Sequence, residues 1–118
     1  MTEVEVAGNT LIVNVLGLHK IWAFEGSLEF PLGHVVGAAL YQDVALEPGL
    51  FRVFGTGIPG IISAGLHRRA GEWEFWDVMD KNYAIVVEMA GEWYARLVVE
   101  VTDPDSALGL IRRASHYR

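Results

Sequence analysis

Thr102-Asp103-Pro104-Asp105 marks the start of a helix, and nearly everything ahead of it reads as short strands. That tetrapeptide supplies an N-cap oxygen, a proline suited to the first helical position and negative charge in the first turn. Ala107, Leu108, Ile111 and Ala114 then form an apolar stripe, and Arg112, Arg113 and His116 lie near the C-terminal end, where cations suit the helix dipole. Upstream, residues 4–15 alternate apolar with polar around Gly8-Asn9, which predicts a tight β-hairpin. Leu28, Phe30 and Leu32 alternate with Glu29 and Pro31, and residues 35–41 continue as a nearly unbroken apolar run; Pro31 and Gly33 mark an edge, bulge or bend. Residues 51–54 make a short strand. Residues 61–66, 72–78, 83–89 and 93–101 are four further β-propensive runs with turn residues between them, the pattern of a meander of hairpins. Two segments stand apart: Leu18, Ile21 and Trp22 have helical spacing, and residues 42–50 have the composition of a solvated loop. The expected fold is therefore mainly β, a barrel or sandwich of about seven antiparallel strands capped by one C-terminal α-helix.

A chain of 118 residues has room for one such core. At this size roughly 65% of the unfolded surface is hidden, enough without staples, so residues 1–118 are expected to form a single domain. The absence of cysteine excludes disulfides, thiolate nucleophiles, iron–sulfur clusters and cysteine-built zinc sites. Nine Lys and Arg against fifteen Asp and Glu leave a formal charge of -6, and the bases form only two adjacent pairs, Arg68-Arg69 and Arg112-Arg113. Nucleic acid is an unsuited partner for that distribution, and so is an anionic membrane. The opening Met1-Thr2-Glu3-Val4-Glu5 is acidic where a secretory signal is basic, and no apolar run approaches bilayer length; a cytoplasmic location is the expectation.

Specific stretches carry a resemblance. Leu28-Glu29-Phe30-Pro31-Leu32-Gly33-His34-Val35, Gly57-Ile58-Pro59-Gly60 running into Ile61-Ile62-Ser63-Ala64-Gly65, Phe75-Trp76-Asp77-Val78, and Tyr94-Ala95-Arg96-Leu97-Val98-Val99-Glu100-Val101 are similar to a family of small bacterial proteins that look like bacterial pleckstrin-homology domains. The resemblance spans nearly the whole chain. It implies a pleckstrin-homology-like barrel whose terminal helix closes one open end, and it implies no enzymatic activity. Members of that superfold that bind inositol phosphates use a basic cluster around the first hairpin. Here the stretch offers Lys20 against Glu3 and Glu5, so phosphoinositide binding is not expected.

Several motifs invite a chemical reading, and spacing argues against each. Gly55-Thr56-Gly57-Ile58-Pro59-Gly60 satisfies G-x-G-x-x-G, with Asp77 and Asp80 downstream as ribose-binding acids, but the following residues are β-branched and too short for the helix of a βαβ unit. Gly60 stands one residue too far from Ser63 for a nucleophile elbow, and Ser63, His67 and Asp77 would have to converge in a pocket to form an enzyme site. His19, His34, His67 and His116 lack metal-ligand spacing, so no metal and no other cofactor is expected, even with Glu74 or Asp77 nearby. Glu72 and Glu74 share one strand face in the manner of a glycosidase pair, yet without a cleft they read as a solvated edge.

What remains is aromatic. Trp73, Phe75, Trp76, Trp93 and Tyr94 are interleaved with acids on two runs; Trp73 and Phe75 share one face, and Trp76 shares the other with Glu74. One aromatic side belongs to the core, and the other is available as a contact surface for a peptide or another subunit. With Trp22 and Pro59, the candidate interaction residues are Trp73, Trp76, Trp93 and Tyr94. A mean hydropathy of +0.27 is high for so small a domain and points to apolar surface covered by another chain, hence to a homo-oligomer. The leading expectation is a non-enzymatic protein-interaction or self-association module. The alternative is a small β-barrel carrier holding an apolar small molecule beside Trp22, Phe54 or Trp76.

Overall fold

The computed structural model describes residues 2–15, 26–44, 51–55, 63–69, 71–78 and 80–115. The helical spacing around Trp22, and residues 45–50 of the expected loop, lie outside the described residues. Strands β1 (Thr2–Ala7) and β2 (Thr10–Val15) meet at Gly8-Asn9, with Ala7 opposite Thr10, and Gly8 takes φ 60°. This left-handed conformation favours glycine, and it closes the two-residue loop that sets the register. Strand β3 (Gly26–Pro31) completes a three-stranded antiparallel sheet, β1-β2-β3. A 3-10 turn at Leu32–His34 provides the bend that Pro31 and Gly33 signal in the sequence.

After that turn come β4 (Val35–Leu40), a one-turn helix α1 (Tyr41–Val44), β5 (Phe51–Gly55), β6 (Ser63–Arg69), β7 (Glu72–Val78), a 3-10 turn at Lys81–Tyr83, β8 (Ala84–Met89), β9 (Tyr94–Glu100) and helix α2 (Pro104–Ser115). These six strands form a second sheet in the order β4-β8-β9-β7-β6-β5. The protein is thus mainly β, with two sheets and one C-terminal helix.

The strand order corrects the expectation of an antiparallel meander. Strand β9 inserts between β7 and β8, pairing antiparallel with β8 and parallel with β7. The reason lies in the β7–β8 connection. It runs through a 3-10 turn instead of a two-residue loop, and it spans the two strand spacings, about 9.6 Å, that leave room for an intervening strand. The β8–β9 link, with Gly91 at φ 77°, then returns the chain into that gap.

Alternation decides where the core sits. In β2 the side chains of Leu11, Val13 and Val15 are buried, and they meet Phe75, Ile85, Val87, Leu97 and Val99 from the larger sheet together with Leu108 and Ile111 of α2. The opposite face of the larger sheet has its own cluster, Trp76, Val78, Ala84, Val86 and Val98, over which α1 places Tyr41. Strands β7, β8 and β9 are covered on both faces, which is why residues 84–87 of β8 and 97–99 of β9 are apolar without interruption, while in β7 the buried Glu74 and Asp77 are held by hydrogen bonds.

Helix α2 begins as the sequence predicts. Asp103 Oδ1 accepts the Ser106 backbone N–H at 3.2 Å, and its Oδ2 accepts the Ser106 hydroxyl at 2.8 Å. At the other end the Arg112 guanidinium donates to the Ala38 carbonyl of β4 at 2.8 Å, fastening the helix to the sheet edge. The Ser106 side-chain hydrogen bond, with the backbone one beside it, holds the Asp103 carboxyl below its ordinary value. A lowered folded value means that the stabilisation is complete above the ordinary carboxylate value, about 4, and is lost as pH falls through the folded value. Asp103→Ala is therefore expected to lower the urea midpoint at pH 7, with the gap to the parent closing as pH is taken from 5 to 2.5. A gap that stays constant over that range would show that the cap carboxylate contributes no charge-dependent stability. Among the described residues no helix is long and apolar enough to cross a membrane.

Candidate functional site

The aromatic residues singled out in the sequence form a continuous path from the core to the surface. Phe75 is buried between the sheets, and Tyr94, the first residue of β9, packs edge-on against it with ring centroids 5.9 Å apart. Tyr94 also meets Phe30 of β3 at 6.4 Å and Trp93 at 4.7 Å, both edge-on. Burial pushes the Tyr94 phenol up from its ordinary value. Trp93 stacks on Trp73 with centroids 5.2 Å apart and planes 13° from parallel. The Arg68 guanidinium of β6, in register opposite Trp73, lies 5.0 Å from the Trp73 ring centroid. Trp93 remains 58% exposed although it is held in this stack.

The turn that carries Trp93 is anchored by backbone and side chain together. The Ala90 N–H donates to the His34 carbonyl at 2.9 Å, and His34 Nδ1 lies 2.5 Å from Glu92 Oε2. A Cβ on Gly91 would come within 3.7 Å of the His34 ring, and its positive φ disfavours any side chain. The exposed indole is thus mounted on a turn tied to the 3-10 turn before β4.

Of the six residues expected to make the surface, Trp73, Trp93 and Tyr94 are brought together, whereas Trp22 and Pro59 lie outside the described residues. Trp76 is a correction. It lies on the opposite face of β7 with no exposed area, its indole N–H donating to Glu74 Oε1 at 3.0 Å and its ring set edge-on to Tyr41 at 5.9 Å. The second apolar cluster covers the face that alternation assigns to it, so it is core and not contact surface.

Glu74 is a second correction. The solvated edge expected for Glu72 and Glu74 is not an edge, because β7 lies inside the six-stranded sheet; Glu72 is exposed, but Glu74 has no exposed area. Its Oε2 accepts from Arg96 at 2.9 Å, and the same guanidinium lies 3.9 Å from Glu72 and from Glu88. Arg96 escaped the reading of motifs, although register explains it: Glu74 faces Arg96 across the parallel β7–β9 pair, a pairing that the meander expectation does not contain.

The remaining candidates are dispersed. Asp77 is buried and accepts the Thr2 hydroxyl at 2.8 Å, tying β1 to β7. Ser63 and His67 lie on β6, with their backbones opposite Val78 and Glu74. His19, His116 and most of the glycine-rich motif fall outside the described residues. That motif joins β5 to its antiparallel neighbour β6 within seven residues, whereas a dinucleotide fingerprint needs a crossover helix between parallel strands. Among the described residues no group of three or more His, Asp or Glu side chains is placed to hold a metal ion.

Two grooves of about 280 Å³ each open on the surface, one between β1 and α2 and one beside Asp80, Tyr83 and Glu100. Neither is an enclosed chamber between the sheets, where the described inner faces are packed with side chains. The chain has no match among protein-family models, curated proteins or solved structures.

Proposed function

We propose that this chain is a non-enzymatic pleckstrin-homology-like domain of the cytoplasm that works through protein contact, pairing with a second copy of itself through the Trp73–Trp93 surface. The observation that carries the reading is an indole 58% exposed yet fixed by stacking and by the His34–Glu92 contact. A large apolar side chain already ordered in the free protein loses little conformational entropy on binding, which is the character of an interface anchor. The exposed Arg68 lies over Trp73 and adds a cation beside the indoles. A mainly β chain ending in one helix supports the pleckstrin-homology-like reading, and the acidic first hairpin argues against a phosphoinositide as its ligand.

Sedimentation equilibrium tests the reading. At about 50 μM the parent chain is expected to be dimeric, and Trp93→Ala to raise the dimer dissociation constant at least ~30-fold, the equivalent of a hot-spot loss of about 2 kcal/mol. A parent chain that stays monomeric at that concentration would sink the proposal.

A further inference from the structure

The groove between β1 and α2 has no part in the aromatic surface, and its chemistry is different. Val4, Val101, Ala107 and Leu110 provide apolar lining, while Glu3, Glu5 and Asp103 provide three carboxylates. No Lys or Arg is among the described residues lining it, and the neighbouring groove, which shares Val101 and Thr102, adds Asp80 and Glu100.

One wall of the groove is a sheet edge. Among the described residues β1 is hydrogen-bonded to β2 on one side only, and its pairing runs without a bulge from Thr2 to Ala7. The edges at β4 and β3 carry protections. β4 has a register shift between Val35 and Gly37 and is capped by Arg112 on the Ala38 carbonyl, and β3 ends at Pro31. β1 has no proline, lysine or bulge.

We infer that this edge is a docking site for an extended, basic segment of another protein, which adds a strand to β1 and lays alternate apolar side chains toward the α2 side of the groove. Charge decides the occupant. In β1 the exposed Glu3 and Glu5 alternate with half-buried Val4 and Val6, so a strand alternating Lys or Arg with an apolar residue meets opposite charges and an apolar floor together. A second copy of β1 would set glutamate against glutamate, which the same cross-strand rule disfavours. The formal charge of -6 also draws a basic segment in at long range. The inference goes beyond the proposed self-association and uses none of its residues.

The test is fluorescence anisotropy of a labelled acetyl-Lys-Val-Lys-Val-Lys-Val amide titrated with the full chain. Saturable binding with a dissociation constant on the order of 100 μM or tighter at low salt is expected. Glu3→Gln/Glu5→Gln, a change confined to exposed side chains, is expected to weaken it at least ~10-fold, as is N-methylation of alternate peptide amides, which removes the backbone donors. Trp93→Ala should bind the peptide as the parent does, which separates this edge from the aromatic surface. Absence of binding, equal binding by the N-methylated peptide, or indifference to the glutamate changes would overturn the inference. So would loss of self-association in the glutamate variant, because it would put a second copy on this edge.

Discussion

Arg96→Met is expected to cost about 3–5 kcal/mol of folding stability, read as a fall in the urea midpoint with an unchanged slope, because it takes the guanidinium away from a carboxylate that has no access to water. Glu74 is fully buried, and the Arg96 side chain, 23% exposed, donates to it at 2.9 Å. The Trp76 indole N–H remains as a donor to Glu74, but a neutral hydrogen bond does not balance the charge. The double variant Glu74→Met/Arg96→Met should recover most of the loss, since replacing both members of a buried pair by apolar groups of similar size is often close to neutral. If the double variant is instead as unstable as the sum of the two single changes, the cost lies in the packing of the arginine stem and not in the stranded charge.

Trp76→Ala should be comparably severe, at about 3–5 kcal/mol, for a different reason: it opens a cavity in the cluster formed by Tyr41, Val78, Ala84, Val86 and Val98. Trp76→Phe keeps much of that volume and removes only the indole donor to Glu74, so about 1–3 kcal/mol is expected. Trp93→Ala makes the informative contrast. More than half of Trp93 is exposed, and its loss should lower stability by no more than about 1 kcal/mol while abolishing most of the self-association. Urea unfolding of the three variants, paired with sedimentation, separates the two tryptophans. Equal stability losses for Trp76→Ala and Trp93→Ala would contradict the assignment of one to core and the other to surface.

Local signals were legible wherever the chain decides its own conformation. Gly8-Asn9 closes the first hairpin because a two-residue loop needs a positive φ, and Asp103 starts α2 because a carboxylate at that position satisfies backbone and side-chain donors three residues on. The alternation that sets Phe75 and Trp76 on opposite faces of β7 was legible too, since a pleated strand permits nothing else. The interaction surface was half legible. Composition brings Trp73, Trp93 and Tyr94 to notice, but the stack between the first two depends on the parallel neighbourhood of β7 and β9.

Sequence alone determined the mainly β character, the closing helix and the two-faced nature of β7, because each follows from backbone preferences and from a repeat of two residues. Tertiary structure decided that both faces of β7 would be covered, and with that the fates of Trp76 and Glu74. It also decided that β9 would slip between β7 and β8, a choice that brings Arg96 opposite Glu74 and Trp93 onto Trp73. The physical reason is that hydrophobic patterning names a buried side without naming its neighbour. Strand order depends on which pairing covers the most apolar surface while leaving every buried charge with a partner, and that sum runs over residues far apart in the chain.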